Sequence, residues 1–440
     1  MWNSNPMRWS AAMMILLAPL ALQGCSDDDD NITNPPASAS TFVRLGHLSP
    51  DAPEVDIWVD GEVALEDVAF RDFSAYVELE AGNHRFQVSP ANLEEPIVID
   101  AQVELLEGKY YTIAATGRLA DIQPVVMLDD VDSDDNNVKI RFVHAGPDAP
   151  EVDIALTDGS LLFSNVDFRD VEDVLTVPGG TYDLQVRLAG TETVALSFAD
   201  VGLSPGTNYS IFATGLLADG TLSASVTVDS PGDGSTVVGL TPALAMLRVG
   251  HLSPDAPAVD ISLDGEIVSS LTNVPFKAVS DYLQVSAATH SIQVFVAGTM
   301  TDPVIDASVT LLPGAAYTVA ATGRVSETDL QPIVLLDDRE GTGDGNARVR
   351  FAHMSPDAPE VDIMVADGPT LFANVEFRGT AGYSDVASGS YDLEARLSEG
   401  AALALSIPGV ELAMSATYTV FAVGLVGNGS LEALLVKDSP

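Results

Sequence analysis

The stretch RLGHLSPDAPEVDIWVDG, at residues 44–61, occurs four times in related form in this chain of 440 residues. The other copies are RFVHAGPDAPEVDIALTDG at residues 141–159, RVGHLSPDAPAVDISLDG at residues 248–265 and RFAHMSPDAPEVDIMVADG at residues 350–368. Successive signature histidines are 97, 107 and 102 residues apart, which is the length of a whole domain. The pattern therefore predicts one domain per copy and not a short-period solenoid.

The copies have the alternation that is typical of half-buried strands. Val259, Ile261 and Leu263 alternate with polar residues, and the turn residue Gly265 follows. Similar short runs, bounded by Gly, Pro, Asn or Asp, fill the rest of each copy, and no amphipathic helix interrupts them. About seven short strands per hundred residues predict an all-β chain of tandem immunoglobulin-like β-sandwich domains.

Each copy also has a tyrosine that opens a strand directly after a turn. This placement resembles the tyrosine corner of immunoglobulin-like sandwiches, in which the hydroxyl bonds to an upstream backbone group. The four tyrosines are Tyr111, Tyr209, Tyr317 and Tyr418.

The copies fall into two kinds that alternate along the chain. The first and third share IQPVVMLDD and LQPIVLLDD, whereas the second and fourth share TYDLQVRL and SYDLEARL. We therefore expect a duplicated two-domain unit. The expected domains are residues 42–131, 138–229, 246–338 and 346–438.

The long signature, the GxxYT-type turn and the closing LQPIVLLDD-type strand together resemble the bacterial family called domain of unknown function 4397. The resemblance covers nearly all of the chain after its N-terminal segment. It implies exported or cell-surface proteins with immunoglobulin-like modules, and it supplies no catalytic residue.

The N-terminus predicts export and lipid attachment. Arg8 precedes a short apolar stretch, which ends in LQGC at residues 22–25 and resembles the lipobox of bacterial lipoproteins. Residues 1–24 are therefore interpreted as a signal peptide and Cys25 as the lipidation site. Residues 25–41 form a flexible acidic tether. Ser26, which follows the cysteine, favours the outer membrane over the inner one, with either the periplasmic or the surface face left open.

Composition excludes several classes of function. Hydrophobic residues make up 46% of the chain and charged ones 19%, so disorder along the whole length is not expected. The 64 acidic and 19 basic residues give a formal net charge of -45, which repels phosphate backbones and excludes nucleic-acid binding. Since Cys25 is the single cysteine, disulfide bonds within the chain are excluded.

The signature contains the residues that could carry chemistry, namely one histidine and two aspartates per copy. Together they could hold a metal ion or form an acid–base pair. We favour a structural role, because Pro-Asp-Ala-Pro is a turn sequence whose aspartate can accept bonds from nearby backbone amides. The residues are His47, Asp51, Asp56, His144, Asp148, Asp153, His251, Asp255, Asp260, His353, Asp357 and Asp362.

Two other features recur. An aromatic residue precedes a base at Phe70-Arg71 and its counterparts 168–169, 276–277 and 377–378, and we expect these bases to pair with the signature aspartates. His84 and His290 occupy positions that hold Tyr182 and Tyr391 in the other copies, and are expected to pack at strand ends.

The acidic segment after the first copy is the one candidate for calcium binding. Asp130, Asp132 and Asp134 have the spacing that opens a calcium loop, but Asp135 replaces its glycine and Arg141 its bidentate acid. The segment is interpreted as a linker, and weak calcium binding stays an open alternative.

These observations predict a non-enzymatic, membrane-anchored exported lipoprotein that acts as a surface scaffold, spacer or adhesion protein. Its partners would be the membrane, through its lipid, and a protein or glycan ligand; no cofactor and no resident metal are expected. The alternative is a carbohydrate-processing or other hydrolase-like envelope protein, whose acidic cleft the sequence does not display.

Overall fold

A computed structural model of the chain describes residues 8–9, 39–231, 237–342, 345–399 and 402–439. The chain divides into two compact units, Met1–Pro242 and Ala243–Pro440, and each holds two repeats. The proposed signal peptide, apart from residues 8–9, and the proposed lipidation site Cys25 lie outside the described residues.

Each repeat is a β-sandwich of eight strands, one more than the sequence suggested. In the first repeat the strands are Ser40–Leu48, Val55–Val59, Glu62–Val68, Val77–Glu80, Gly82–Pro90, Ile99–Leu105, Tyr110–Thr116 and Gln123–Asp129. In the second they are Asn137–His144, Val152–Leu156, Leu161–Val166, Leu175–Pro178, Gly180–Leu188, Val194–Leu203, Asn208–Thr214 and Ser223–Val228.

The second unit repeats this order. The third repeat has Leu244–His251, Val259–Leu263, Glu266–Ile267, Leu283–Ser286, Thr289–Val296, Ile305–Thr310, Ala316–Thr322 and Gln331–Asp337. The fourth has Asn346–His353, Val361–Val365, Thr370–Val375, Thr380–Ala387, Gly389–Leu397, Leu403–Leu412, Thr417–Val423 and Glu432–Lys437. Among the described residues, the 3-10 turns are Leu119–Asp121 and Ser269–Leu271.

Two four-stranded sheets form each sandwich. One has the strand order fourth, first, seventh, eighth, and the other third, second, fifth, sixth. The first and seventh strands run parallel, with Arg44 opposite Thr112 and Arg350 opposite Thr419. The sheet that contains the signature arginine therefore has a parallel pair at its centre and antiparallel pairs on both sides.

The alternation in the signature is explained by which face each residue presents to the sandwich core. Val259 and Ile261 are buried in the core of the third repeat. Asp264 and Gly265 both have positive φ, 54° and 85°, which is the backbone of the tight two-residue hairpin that Asp-Gly favours. The prediction of tandem all-β sandwiches is confirmed.

A second apolar layer joins the two repeats of each unit. In the first unit Leu48, Phe73 and Met127 of the first repeat pack with Val143 and Phe212 of the second. In the second unit Leu252 and Leu335 pack in the same way with residues of the fourth repeat. The two repeats of a unit thus bury apolar surface against one another.

Two strands add to this plan within the described ranges. Arg8–Trp9 pairs with Glu62–Val68, and Val237–Leu240 pairs with the last strand of the second repeat. No helix in the described part of the chain is long and apolar enough to cross a membrane.

Candidate functional site

The signature histidines are buried and hold the loop that follows them. The Nε2 atom of His47 lies 3.1 Å from the carbonyl oxygen of Pro53, and its Nδ1 accepts the backbone N–H of Ser49 at 3.4 Å. His144 and His353 make the same two bonds, and His251 makes the bond to a proline carbonyl. Burial lowers the pKa of all four histidines, so they are neutral and donate from Nε2.

A phenylalanine covers each of these rings. Phe70 meets His47 edge to face, with the ring centroids 6.4 Å apart, and the other three repeats do the same at 6.2 to 6.4 Å. Because both His47 nitrogens already bond to backbone groups, the ring has no nitrogen left for a metal ion.

The first signature aspartate ties its turn to the loop after the seventh strand. Asp255 accepts the backbone N–H groups of Val325 at 2.8 Å and Ser326 at 3.0 Å. Asp357 binds two amides of the corresponding loop, Asp148 also binds two and Asp51 one. Burial alone would raise the pKa of Asp255, but the bonds from Ser326 and Val325 lower it. The bonds we expected within the turn thus span about 70 residues of sequence.

The second signature aspartate holds two sharp corners of the other sheet. Asp56 accepts the N–H groups of Asp67 at 3.0 Å and Asn92 at 2.9 Å, and both donors have left-handed backbones with φ of 56° and 63°. Asp153, Asp260 and Asp362 each receive two bonds from the equivalent corners. Backbone bonds lower the pKa of Asp260.

The three signature residues therefore serve three different loops and do not converge. His47 bonds to Pro53, Asp51 to Leu119 and Asp56 to Asp67. Among the described residues, no group of three or more His, Cys, Asp or Glu side chains is placed to hold a metal ion. The geometry thus assigns these residues to holding backbone loops in place.

The bases that follow an aromatic residue do not pair with the signature aspartates, so that expectation was wrong. Arg71 of the first repeat reaches into the second, where it donates to Thr214 Oγ1 at 2.9 Å and to the carbonyl of Thr221 at 2.8 Å. Arg169 reaches back to Thr116 and to the carbonyl of Asp121 in the first repeat. These bases therefore join the repeats of a pair.

The second unit has the same crossing. Arg378 of the fourth repeat donates to Thr322 of the third at 3.0 Å, and Lys277 of the third pairs with Glu432 of the fourth at 2.5 Å. Lys277 and Arg378 have positive φ, 74° and 63°, as Arg71 and Arg169 do. The left-handed backbone directs each base toward the neighbouring repeat.

A buried arginine–aspartate network lies deeper in the same interface. It consists of the first residue of each signature and an aspartate that directly follows or ends each repeat's last strand. Arg44 of the first repeat binds Asp229 of the second at 2.6 Å, and Arg141 of the second binds Asp129 of the first. All four side chains are at most 4% exposed. Each repeat thus supplies the cation for its neighbour's carboxylate.

Hydroxyl groups satisfy the rest of this network. Thr112 accepts from Arg44 at 2.9 Å and donates to Asp129 at 2.6 Å, and Tyr76 also donates to Asp129 at 2.7 Å. Burial disfavours the charge of Arg44, but Asp229 and Asp129 raise its pKa overall, so the arginine stays charged. Such complete pairing is what allows charges to be buried at all.

The second unit repeats the network with its own residues. Arg248 binds Asp438, Arg350 binds Asp337, and the guanidinium of Arg350 stacks 4.7 Å from the ring centre of Tyr383. We did not single out these arginines or aspartates from the sequence. Their recurrence at equivalent positions in all four copies is the signal that could have identified them.

The strand-end residues and the tyrosine corner behave as their patterns predict. His84 and His290 bond to a carbonyl four residues upstream, at 2.8 Å in both cases, and Tyr182 and Tyr391 make the same bond. The hydroxyl of Tyr317 accepts the N–H of Leu312 at 3.3 Å, and its three counterparts accept the same upstream bond.

A lysine side chain donates hydrogen bonds to the acidic segment that resembles the start of a calcium loop. Lys139 donates to Asp130 Oδ2 and to the carbonyl of Asp132, at 2.7 Å each. Asp134 instead accepts bonds from Asn136 and Asn137. The aspartates of this segment thus bond to different partners.

Comparison with a family model identifies the repeats. The model described as domain of unknown function (DUF4397) matches residues 41–155, 155–238, 245–364 and 355–440. The chain belongs to the DUF4397 family. The first DUF4397 match ends inside the second repeat's signature, so the family's unit and the structural repeat do not end at the same residue.

Comparisons with individual proteins add little to this. No curated protein matches the chain. Among solved structures, the Bacillus anthracis TIE protein is 11% identical, over 88% of this DUF4397 chain and 68% of that chain, with a TM-score of 0.18. BcpA, the major pilin subunit of Bacillus cereus, is 10% identical over 69% of this chain and 97% of its own, with a TM-score of 0.12. At these TM-scores neither likeness bears on fold or function.

Proposed function

We propose that the chain is a non-enzymatic exported lipoprotein, anchored through Cys25 to the outer membrane, whose paired repeats act as a scaffold that holds a binding surface away from the membrane. The observation that carries the proposal is the arginine–aspartate network. The network joins two repeats into one unit. Such a unit suits a spacer better than a chain of repeats that move independently.

The signature chemistry supports the same proposal. A hydrolase needs acids that converge on a substrate, whereas here the recurrent carboxylates accept backbone N–H groups in separate loops. Recurrence in every repeat also suits structural bonds, because each sandwich has its own corners to hold.

Lipid anchoring is tested by replacing Cys25 with serine in cells that process lipoproteins. We expect the Cys25→Ser protein to leave the detergent phase or to accumulate as precursor, because two or more acyl chains are needed for stable membrane attachment. Ser38→Ala, in the same tether, is the matched control and should partition like the wild type.

Unchanged membrane partitioning of Cys25→Ser, with the wild-type mature mass, would contradict the anchoring. Turnover by the purified wild type on a panel of glycan and ester substrates would contradict the non-enzymatic role and favour the hydrolase alternative.

A further inference from the structure

Each repeat begins and ends at the same end of its sandwich. In the first repeat Phe42, near the start of the first strand, lies opposite Tyr110 on the seventh strand. Tyr110 in turn lies opposite Asp129, the last residue of the eighth strand. Neighbouring strands are about 4.8 Å apart, so the two ends of the repeat are separated by about 10 Å. The second repeat has the same register at its own ends.

A buried ion pair joins the two ends of a whole unit. Arg44 lies on the first strand of the first repeat and binds Asp229, which directly follows the last strand of the second repeat, at 2.6 Å. It also donates to the carbonyl of Val228 at 3.1 Å. In the second unit Arg248 and Asp438 form the equivalent pair. The partners are 185 and 190 residues apart in the sequence, so each unit is a loop whose ends meet at what we call its closing pair.

The other ion pair of the network bridges a much shorter length of chain. Arg141 and Asp129 are 12 residues apart, on either side of the segment 130–136 that connects the two repeats. Because this segment already ties the two residues together covalently, breaking their ion pair does not by itself let the ends of the unit separate. The two pairs are thus alike in chemistry and burial and differ in the length of chain that they close.

Tension along the chain loads the closing pair before it loads either sandwich. A pull enters the first unit at the strand Ser40–Leu48 and leaves it after Asp229, and Arg44 connects these two points directly. While this contact holds, the strand ladders of the two sandwiches lie outside the direct path of the force. The apolar layer that contains Phe73 and Phe212 lies further along the strands, so it separates after the closing pair.

We propose that each unit is an extensible element that tension opens: the closing pair separates first, and the two repeats then move apart while each sandwich stays folded. The core of each repeat in the first unit is formed by its own side chains. A separated repeat is less stable than a paired one, but it has to stay folded only until the unit closes again. The inference rests on the proposed function, because a membrane anchor at one end and a bound partner at the other supply the tension.

Opening and unfolding differ about tenfold in the length of chain that they release. The opened first unit spans two repeat widths of about 10 Å each and the segment 130–136, which extends to at most about 25 Å. Since the ends of the closed unit meet at the closing pair, opening lengthens the chain by about 30 Å. Unfolding one repeat of about 90 residues releases about 300 Å. The size of a step therefore identifies the event.

The test holds a chain that begins at residue 25, purified without lipid, under constant force in magnetic tweezers. Cys25 is the single cysteine and takes one DNA handle, and a C-terminal tag takes the other. We expect two reversible steps of about 30 Å, one for each unit, before the first step of about 300 Å. This part of the test uses the wild type alone, so it does not depend on whether a variant folds.

Arg44→Met and Arg141→Met are the matched variants. Each removes one buried guanidinium from the network, so both should lower the midpoint of urea unfolding to a similar extent. Under force, Arg44→Met should shorten the lifetime of one closed unit by at least about tenfold, which corresponds to about 1.4 kcal/mol of activation barrier. Arg141→Met should shorten it less, because the contact of Arg141 with Asp129 is still present when the closing pair separates and its loss affects the closed unit and the barrier alike. Arg248→Met and Arg350→Met provide the same comparison in the second unit.

The proposal is overturned if the first step of the wild type is already about 300 Å long, because a sandwich then unfolds before a unit opens. It is also overturned if Arg44→Met and Arg141→Met shorten the lifetime of the closed unit equally, because the closing pair then has no special place in the path of the force. The tweezers supply the tension and no membrane is present. Failure of this test therefore leaves the anchoring proposal to its own test with Cys25→Ser.

Discussion

Replacing Arg141 with methionine tests whether the two repeats of a pair unfold as one body. The substitution lies in the second repeat, but Asp129, the carboxylate that loses its arginine partner, belongs to the first. Asp129 would keep its bonds from Thr112 and Tyr76 but lose its close cation, since Arg44 is 3.8 Å away and bound to the other aspartate. The destabilisation should therefore appear in both repeats.

The magnitude follows from the burial of the pair. Removing one partner of a buried ion pair costs about 3 to 5 kcal/mol, because a desolvated charge is left behind. With a urea dependence of about 2 to 3 kcal/mol per molar for a unit of this size, the unfolding midpoint should fall by about 1 to 2.5 M. Adding Asp129→Leu should recover part of this loss, because the unpaired charge is then removed as well.

A native reporter makes the assay specific to the first repeat. In a chain that begins at residue 25, Trp58 is the only one of the three tryptophans that remains, and it lies on the second strand of that repeat. Urea unfolding followed by its fluorescence should report the loss caused by Arg141→Met. Arg85→Met is the matched control, because Arg85 forms an exposed pair with Asp100 at 2.5 Å and its loss should change little.

An unchanged Trp58 midpoint, in a protein whose second repeat unfolds at lower urea by circular dichroism, would refute the reasoning. It would mean that each repeat folds on its own and that the network adds nothing to the stability of the first repeat.

Two further predictions concern single side chains. Asp255→Ala should cost about 1 to 2 kcal/mol at neutral pH with or without a chelator, an amount reduced because the carboxylate is exposed. The folded pKa of Asp255 lies below its unfolded value of 3.8. In thermal melts, the difference in stability between the wild type and Asp255→Ala should therefore be full above pH 3.8 and should disappear as the pH falls through the folded pKa. Burial opposes the charge of His290, but its bonds to Asp264 and Ser286 raise its pKa above 6.5. The charged ring therefore stabilises the fold below pH 6.5, and this stabilisation is lost as the pH rises through the folded pKa. His290→Tyr introduces the residue found at this position in the second and fourth copies. The variant should fold and lose that pH dependence in melts from about pH 5 to about 9, a range that covers ordinary histidine titration. An unaltered dependence would contradict the role of His290.

The strands and the pairing of repeats could be predicted because they follow from local patterns. Alternation around Val259 and Ile261 gives a strand directly, and the shared segments of alternate copies reveal a duplication. The parallel pairing of the first and seventh strands could not be predicted, since no local residue pattern distinguishes a parallel neighbour from an antiparallel one at this length.

The candidate site was harder to predict because its bonds are long-range. Asp255 looks like a turn residue in any local window, whereas its partner amides are about 70 residues away. Arg71 recurs identically whether it pairs within its own repeat or with the next one, so recurrence alone could not reveal that it crosses. The expected pairing of these bases with the signature aspartates was wrong because the choice between the two repeats depends on three-dimensional structure.

The pairing of each repeat's arginine with the other repeat's aspartate has a consequence for the number of repeats in a chain. A repeat taken alone would lack the close partner of its signature arginine and of its aspartate, which the other member of the pair supplies. It would keep only the longer pair between its own two charges, which are 3.8 Å apart. A chain of this design therefore keeps every network complete only if its length changes by two repeats at a time. An unmatched repeat at the end of an array would expose these charges to water and would lose the buried network that joins a pair.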